Sequence, residues 1–455
     1  MPNSFDLFDT LLGRLHCHPD SIFYQVQNRV PVPGFVFFRM MAESQSDKTL
    51  PDIYRHFQKL TGISEQVAAA LMDFEFQTEL TQIYPIMENL RLVEEGDLIV
   101  SDTYYNADQI KQIINKIGLT KKVHVYATPR GKSAGTIWEK IKTEHSVAKH
   151  VGDSRHSDVN SPIANNIDAV HYTNSQLSCY ELQMVSFGQE ALAFLMRALR
   201  LQNPYPPESP EYLLWNDQCQ INIPLLLQAS LHLDAFSRKK KKKRILFTTR
   251  DGCLWIQLFQ KLFPDYESIV FHSSRYAYTF PSSSYIDYVK ELYTDDTLIV
   301  DSHGSGISCT QFFKKHLNKR PVYLSIVNNK KTQNAILRVD GRHETVEKLN
   351  YDLIGTLYDM KGKEPLRCEI EYDTRFVEPS HLCVKKCVAI LDEYALQPFD
   401  QRVVQWASDL AWSGLAIDRF VDHAPYHVHL KGEAKTRHLH ILCSGHQMET
   451  SPENV

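Results

Sequence analysis

The residues of this 455-residue chain with the clearest chemical potential are acids and one lysine placed at the ends of apolar runs. Phe5-Asp6-Leu7-Phe8-Asp9-Thr10 sets an Asp and then a Thr behind a short apolar stretch. Leu98-Ile99-Val100-Ser101-Asp102 closes an apolar run on a hydroxyl and an acid. Lys132 stands in Pro129-Arg130-Gly131-Lys132-Ser133, just before an amphipathic helical stretch, and Val151-Gly152-Asp153 ends in an acid followed by Asp158. A carboxylate at the carboxyl end of a parallel strand lies where open α/β sheets bind ligands. Singly, each piece is weak, because an Asp at a strand end is more often a helix cap. All four in this order, each at an expected strand end or helix start, form a specific constellation.

The elements that must position them follow from patterning. From Ser4 to about Thr173, short apolar runs alternate with amphipathic helical stretches, which is the signature of a parallel α/β sheet. Strands are predicted at residues 4–8, 97–101, 123–127, 149–152 and 169–171. The stretch between the first two is helical, notably at 50–60 and 65–80, and too long for a plain crossover, so residues 18–95 are expected as a helical cap inserted in a domain of residues 1–175. Residues 176–238 read as a helical connector, 239–378 as a second α/β domain, 379–425 as C-terminal helices and 426–455 as a polar tail.

The first constellation resembles the four signature motifs of the haloacid dehalogenase-like (HAD) hydrolases, over roughly residues 4–172. The resemblance implies a Rossmann-like core with a parallel sheet and a helical cap that closes over the site and selects the substrate. It implies that Asp6 is a nucleophile forming an aspartyl-phosphate, which splits hydrolysis into two steps. It implies a Mg²⁺ ion held by Asp6, Asp153 and the backbone carbonyl of Phe8, hard oxygen ligands of the kind Mg²⁺ prefers. Ser101 would donate to the transferring phosphoryl group, Lys132 would neutralise charge developing there, and Asp158 would orient Lys132 or support the metal. Thr10 and Asp102 are expected on the substrate side. One departure stands out: phosphatases of this family carry a second Asp two residues after the nucleophile, where this chain has Phe8. On a strand running through residue 8, alternation sends Asp9 to the face opposite Asp6. Dehalogenases of the family also have an aromatic residue at that position.

In the second α/β stretch, Arg250-Asp251-Gly252, Ser273-Ser274-Arg275 and Asp301-Ser302-His303-Gly304-Ser305-Gly306 follow apolar runs. A strand, a Gly-rich turn and a helix start can cradle phosphate. The last segment weakly resembles the ribose-phosphate loop of phosphoribosyltransferases, with a single acid and a shorter loop. Together the pieces are similar to the region that follows the HAD domain in bacterial surface-polysaccharide-associated proteins. Arg250, Asp251, Gly304 and Gly306 are therefore candidate ligand contacts, against the plain alternative of a tight turn and a loop. Near the end, His423, His427, His429, His438, His440, Cys443 and His446 crowd together, but their spacing matches no standard zinc pattern.

Composition narrows the rest. A hydrophobic content of 43%, a charged content of 23% and a net charge of -4 are those of an ordinary globular protein with no affinity for nucleic acid. The basic run at 238–244 (RKKKKKR) reads as a solvated linker into the next strand. The N-terminus carries Asp6 and Asp9 inside its apolar stretch, unlike a secretory signal. No uninterrupted apolar run reaches membrane-spanning length. The nine scattered cysteines suit reduced thiols in a cytoplasmic protein, and the resemblance implies a bacterial one. The expectation is a Mg²⁺-dependent HAD-type phosphatase for a small phosphorylated metabolite. The alternatives are a degenerate HAD scaffold serving in ligand binding or assembly, or a dehalogenase-like hydrolase that uses Asp6 alone.

Overall fold

The computed structural model describes residues 1–328, 334–339, 344–370 and 372–421. The histidine-rich segment and the expected polar tail at 426–455 lie outside them. The chain forms two compact units: Met1–Leu182 with Ala193–Pro204, and Gln183–Leu192 with the chain from Tyr205 onward.

The first unit is built on five parallel strands, β1 (Ser4–Phe5), β2 (Leu98–Asp102), β3 (His124–Thr128), β4 (Lys149–Gly152) and β5 (Asp168–His171), ordered β3-β2-β1-β4-β5. Phe5 is in register with Ile99 on one side and Val151 on the other, so β1 is central. A central parallel strand is buried on both faces, which is why Leu98, Ile99 and Val100 form a continuous apolar run. β1 is shorter than predicted: it ends at Phe5, and Asp9 already has a positive φ of 53°.

The expected cap is present as the helices Ser21–Gln27, Phe35–Ser44, Leu50–Thr61 and Glu65–Gln82. An antiparallel ribbon, Leu12–Arg14 against Ile83–Pro85, opens and closes the insertion. Local signals fix the helix starts: Thr49 and Ser64 accept hydrogen bonds from the backbone N–H groups of Asp52 and Val67. The cap interior is partly ionic. Arg39 is fully buried and forks onto Glu75 through two hydrogen bonds of 2.8 Å, while Arg14 pairs with Glu79 at 2.8 Å.

The second unit has its own five-stranded parallel sheet, β6 (Arg244–Thr248), β7 (Glu267–Phe271), β8 (Thr297–His303), β9 (Val322–Asn328) and β10 (Asn334–Arg338), ordered β10-β9-β8-β6-β7. The C-terminal helices Glu378–Ile390, Gln401–Ser413 and Ile417–Phe420 belong to it. The architecture is thus α/β, with parallel sheets in both units.

Residues 176–238 are largely helical. They form the helices Cys179–Ser186, Glu190–Leu201, Pro210–Asp217 and Ile223–Lys240, with one π-helical turn at Gln218–Asn222, and divide between the two units. Ile223–Lys240 is a core helix of the second unit, with Leu225, Leu226, Leu227, Ala229 and Leu233 buried and Ser230 accepting from the Trp255 indole at 3.0 Å. The basic run is accordingly the last turn of this helix and its exit: Lys241 closes it in the left-handed region, and Arg244 begins β6. Cations there complement the negative end of the helix dipole.

Candidate active site

Asp6 lies immediately beyond β1, its backbone N–H donating to Val151 O at 2.9 Å. Asp153 lies immediately beyond β4, the neighbouring strand. Connections leave β1 and β4 toward opposite sides of the sheet order, so the two acids sit at its topological switch point, where open α/β sheets form a crevice. Carboxylate oxygens of Asp6, Asp153 and Asp158 all lie within 4.8 Å of one another. Lys132 bridges two of them: its Nζ donates to Asp6 Oδ1 and lies 2.6 Å from Asp158 Oδ1, with both the lysine and Asp6 buried.

Each member is held by a local device. Asp158 sits on a π-helical turn, Arg155–Asn160, and folds back over β4, where a Cβ on Gly152 would come within 2.3 Å of the Asp158 carboxyl carbon. Only glycine permits that approach. Asp158 also accepts from Ser154 N at 2.8 Å and contacts His150 Nε2 at 3.0 Å. Since a carboxylate only accepts, His150 Nε2 carries the proton, and Nδ1 faces the Ser4 hydroxyl at 2.9 Å. Burial lowers the His150 pKa, which keeps the ring neutral and suits this arrangement. Lys132 is placed by Asp102, which accepts from Lys132 N and Ser133 N, each at 2.8 Å, and from the Thr128 hydroxyl at 3.0 Å. Asp102, expected on the substrate side, is thereby occupied with holding the lysine loop.

Burial pushes the Asp6 carboxyl up to about 8, with Lys132 opposing and Asp158 and Asp153 adding to the rise. Burial and the charge of Asp9 push Asp153 up to about 6. Burial acts on Asp158 in the same direction, but the His150 hydrogen bond and Lys132 outweigh it and hold Asp158 at about 2. Three carboxylates against one ammonium leave an excess of two negative charges when all are ionised. A divalent cation is the natural complement, and an all-oxygen donor set suits a hard ion. The residues present therefore fit such a metal.

The turn after β1 corrects the expectation for Asp9. With the strand finished at Phe5, alternation no longer applies, and the charge of Asp9 is felt at Asp153. Its carboxylate pairs with Arg197 at 2.7 Å, and Arg197 also donates to Ser175 O and the Tyr84 hydroxyl. The Phe8 ring lies under the Arg14 guanidinium, 4.3 Å from its centroid. Ser101 is buried near the end of β2, and Thr10 is buried with a hydroxyl that has no hydrogen-bond partner. Arg250, Asp251, Gly304 and Gly306 belong to the second unit.

Sequence reasoning did not single out His150 or Arg197. The available signal for His150 was a lone imidazole inside a strand expected to be buried. For Arg197 there was none, because its partners are distant in sequence.

No family model matches the chain, and no curated protein does. Among solved structures, full-length LpoA from Haemophilus influenzae is similar at 12% identity and a TM-score of 0.20, a likeness too slight to carry any functional argument. The match covers 89% of this chain and 64% of that one, so the chain spans less than two thirds of LpoA. Among the described residues, no helix is long and apolar enough to cross a membrane. Cys17, Cys179, Cys219, Cys253, Cys309, Cys383 and Cys387 are free thiols, whereas Cys368 is disulfide-bonded, a departure from the expected uniformly reduced set.

Proposed function

We propose that the first unit is a HAD-type hydrolase that uses Asp6 as nucleophile toward a small phosphorylated metabolite and works with a divalent metal, Mg²⁺ by its donor set. The observation that carries this reading is Lys132 bridging Asp6 and Asp158 beside Asp153 at the switch point of a parallel sheet. Asp6, Asp153 and the Phe8 carbonyl would hold the metal, which would supply charge neutralisation for an approaching phosphate.

The chain's own residues then do the following. Lys132 opposes the protonation of the buried Asp6 carboxyl and offsets charge on the phosphoryl oxygens. An Asp6 oxygen bonds to phosphorus as the bond to the leaving oxygen breaks, and water then cleaves the acyl-phosphate to release phosphate and restore the carboxylate. Asp158, fixed by His150 and Ser154, keeps the lysine aimed. With Phe8 at the position of the usual acid and Asp9 tied to Arg197, no free side-chain acid is assigned to protonate the leaving oxygen. Such help is typically worth about 10²–10⁴-fold. Substrates whose leaving group needs no proton should therefore be favoured.

The direct test measures phosphate release from an aryl phosphate and a panel of sugar phosphates with Mg²⁺, beside Asp6→Asn. Turnover that disappears in the variant, fastest on the aryl ester, is the expected result. A folded, Mg²⁺-binding protein that turns over none of them would favour a ligand-binding scaffold, a reading to which the aromatic Phe8, packed beneath Arg14, lends support.

A further inference from the structure

We propose that the second unit carries its own site for a hard divalent cation, held by Asp251 and Asp301 in the crevice at the carboxyl ends of β6 and β8. The inference is independent of the hydrolase reading of the first unit. In the order β10-β9-β8-β6-β7, β6 and β8 are the adjacent central strands whose onward connections run to opposite sides, so the crevice beyond them is this sheet's switch point. Asp251 follows β6 and Asp301 lies on β8, and their carboxyls face each other within hydrogen-bonding reach.

What surrounds the pair selects the ligand. The hydroxyl of Ser302 donates to Asp251 at 2.7 Å, and that of Tyr323 donates to Asp301 Oδ2. These donors are neutral. Among the described residues neither carboxylate forms an ion pair, and Glu347, whose Oε2 lies 3.5 Å from His303 Nδ1, is a third acid nearby. Two further observations point to a missing partner. When both carboxyls are ionised, Asp301 Oδ1 is buried without a hydrogen-bond donor among the described residues. Ser325 is in register with Asp301 on β9, hence on the same sheet face, and is fully buried with its hydroxyl unpartnered among the described residues. The loop after β8 presses onto the pair, since a Cβ on Gly304 would stand 3.2 Å from Asp301 Oδ2 and one on Gly306 would stand 2.7 Å from the Tyr323 ring.

A bare phosphate would find no cation on Asp251, Asp301 or Glu347 and would be repelled by whichever of them is ionised. A divalent cation would neutralise the two facing carboxylates. One or two carboxylates completed by water is also the usual protein complement of Mg²⁺-like ions.

Mn²⁺ alone is the probe, titrated into the full chain by calorimetry and by electron paramagnetic resonance. A variant with Asp6→Asn and Asp153→Asn should retain one bound Mn²⁺ per chain. Adding either Asp251→Asn or Asp301→Asn, with folding checked by circular dichroism, should weaken that binding at least tenfold. Terbium provides a second readout: bound beside Tyr323, it should luminesce on tyrosine excitation in the Asp6/Asp153 variant, and Asp251→Asn should extinguish the signal. Failure of the folded Asp6/Asp153 variant to retain any Mn²⁺ would overturn the proposal. So would retained binding that is indifferent to both Asp251→Asn and Asp301→Asn.

Discussion

The two units place acids at the same point of similar sheets and surround them differently. In the first, most buried acids have basic partners: Asp6 and Asp158 share Lys132, Glu75 meets Arg39, Glu79 meets Arg14, and Glu181 meets Arg200, while Asp97 accepts from the backbone N–H groups of Asn3 and Glu94. In the second, the donors to Asp251, Asp301 and Asp217 are neutral: the hydroxyls of Ser302 and Tyr323 and the backbone N–H groups of Ile417 and Ala416. A carboxylate removed from water must be paired, be protonated or find a cation. The first unit pairs most of its buried acids within the chain, though Asp153 has no ion pair among the described residues. The second leaves acids whose ionised form is disfavoured, and that is the condition under which an exogenous cation gains most by binding.

Removing the lysine is the strongest way to break this contrast. Lys132→Met should abolish phosphate release, a loss of at least about 10³-fold, because it takes away charge stabilisation that acts in the transition state. It also strands Asp6 and Asp158, and losing one partner of a buried pair costs about 3–5 kcal/mol. Urea denaturation should show that loss in the transition of the first unit, with Mg²⁺ recovering part of it. A variant as stable as the parent would mean that the lysine does not balance the acids, and the distinction between the units would collapse.

Acid titration sharpens the contrast at two individual acids, Asp158 and Asp217, whose contributions should respond with opposite sign. Asp158 is held at about 2, below its ordinary 3.8, so its contribution is present above pH 4 and lost as pH falls through about 2. Asp217 is pushed up to about 7, first by burial, with the backbone hydrogen bonds of Ile417 and Ala416 opposing. Between about pH 4 and pH 7 the unfolded chain has lost this proton while the folded chain keeps it. Stability therefore falls as pH rises through that window. The shift of about three units sets a ceiling of about 4 kcal/mol on the effect. Asp217→Asn, which keeps an oxygen for the Ile417 N–H, should flatten the decline of the second unit between pH 4.5 and 7.5. An unchanged slope would reassign it to other groups.

How much of this was legible in sequence depended on whether the signal was local. Strand ends, helix caps and the order of Asp6, Ser101, Lys132 and Asp153 are local, and they located the sheet and the acids. The buried face of the Glu65–Gln82 helix was not legible, because it runs through Ala68, Leu71, Glu75, Glu79 and Gln82. Acids at those positions read as solvent-facing until Arg39 and Arg14 arrive from elsewhere in the chain. The same holds for His150, whose role exists only through Asp158 and Ser4. The end of β1 misled for another reason: apolar Leu7 and Phe8 extend the strand pattern, but their burial comes from a turn packed under the cap ribbon and Arg14, not from ladder pairing. Asp102 looked like a ligand contact because a strand-end acid can serve either a ligand or the following loop, and only the positions of Lys132 N and Ser133 N decide which.

The smallest effect concerns how the helices end. In the first unit, Leu50–Thr61 stops at Gly62, whose φ of 72° carries no steric penalty. In the second, Ile223–Lys240 stops at Lys241 with φ 54°, a conformation that a side chain makes unfavourable by about 1 kcal/mol. Lys241 is exposed, and the neighbouring Lys239 and Lys240 already supply positive charge to the helix terminus. Lys241→Gly should therefore relieve more strain than the charge is worth, raising the stability of the second unit by about 0.5–1 kcal/mol in urea titrations. Serine at Lys239 and Lys240 should instead lower it by about 0.3–1 kcal/mol at low salt and by less at high salt, where the dipole is screened. If the glycine variant were the less stable protein, the basic run would be contributing through charge at residue 241 itself. The second unit would then rely on charge compensation at its helix end that its central acids do without.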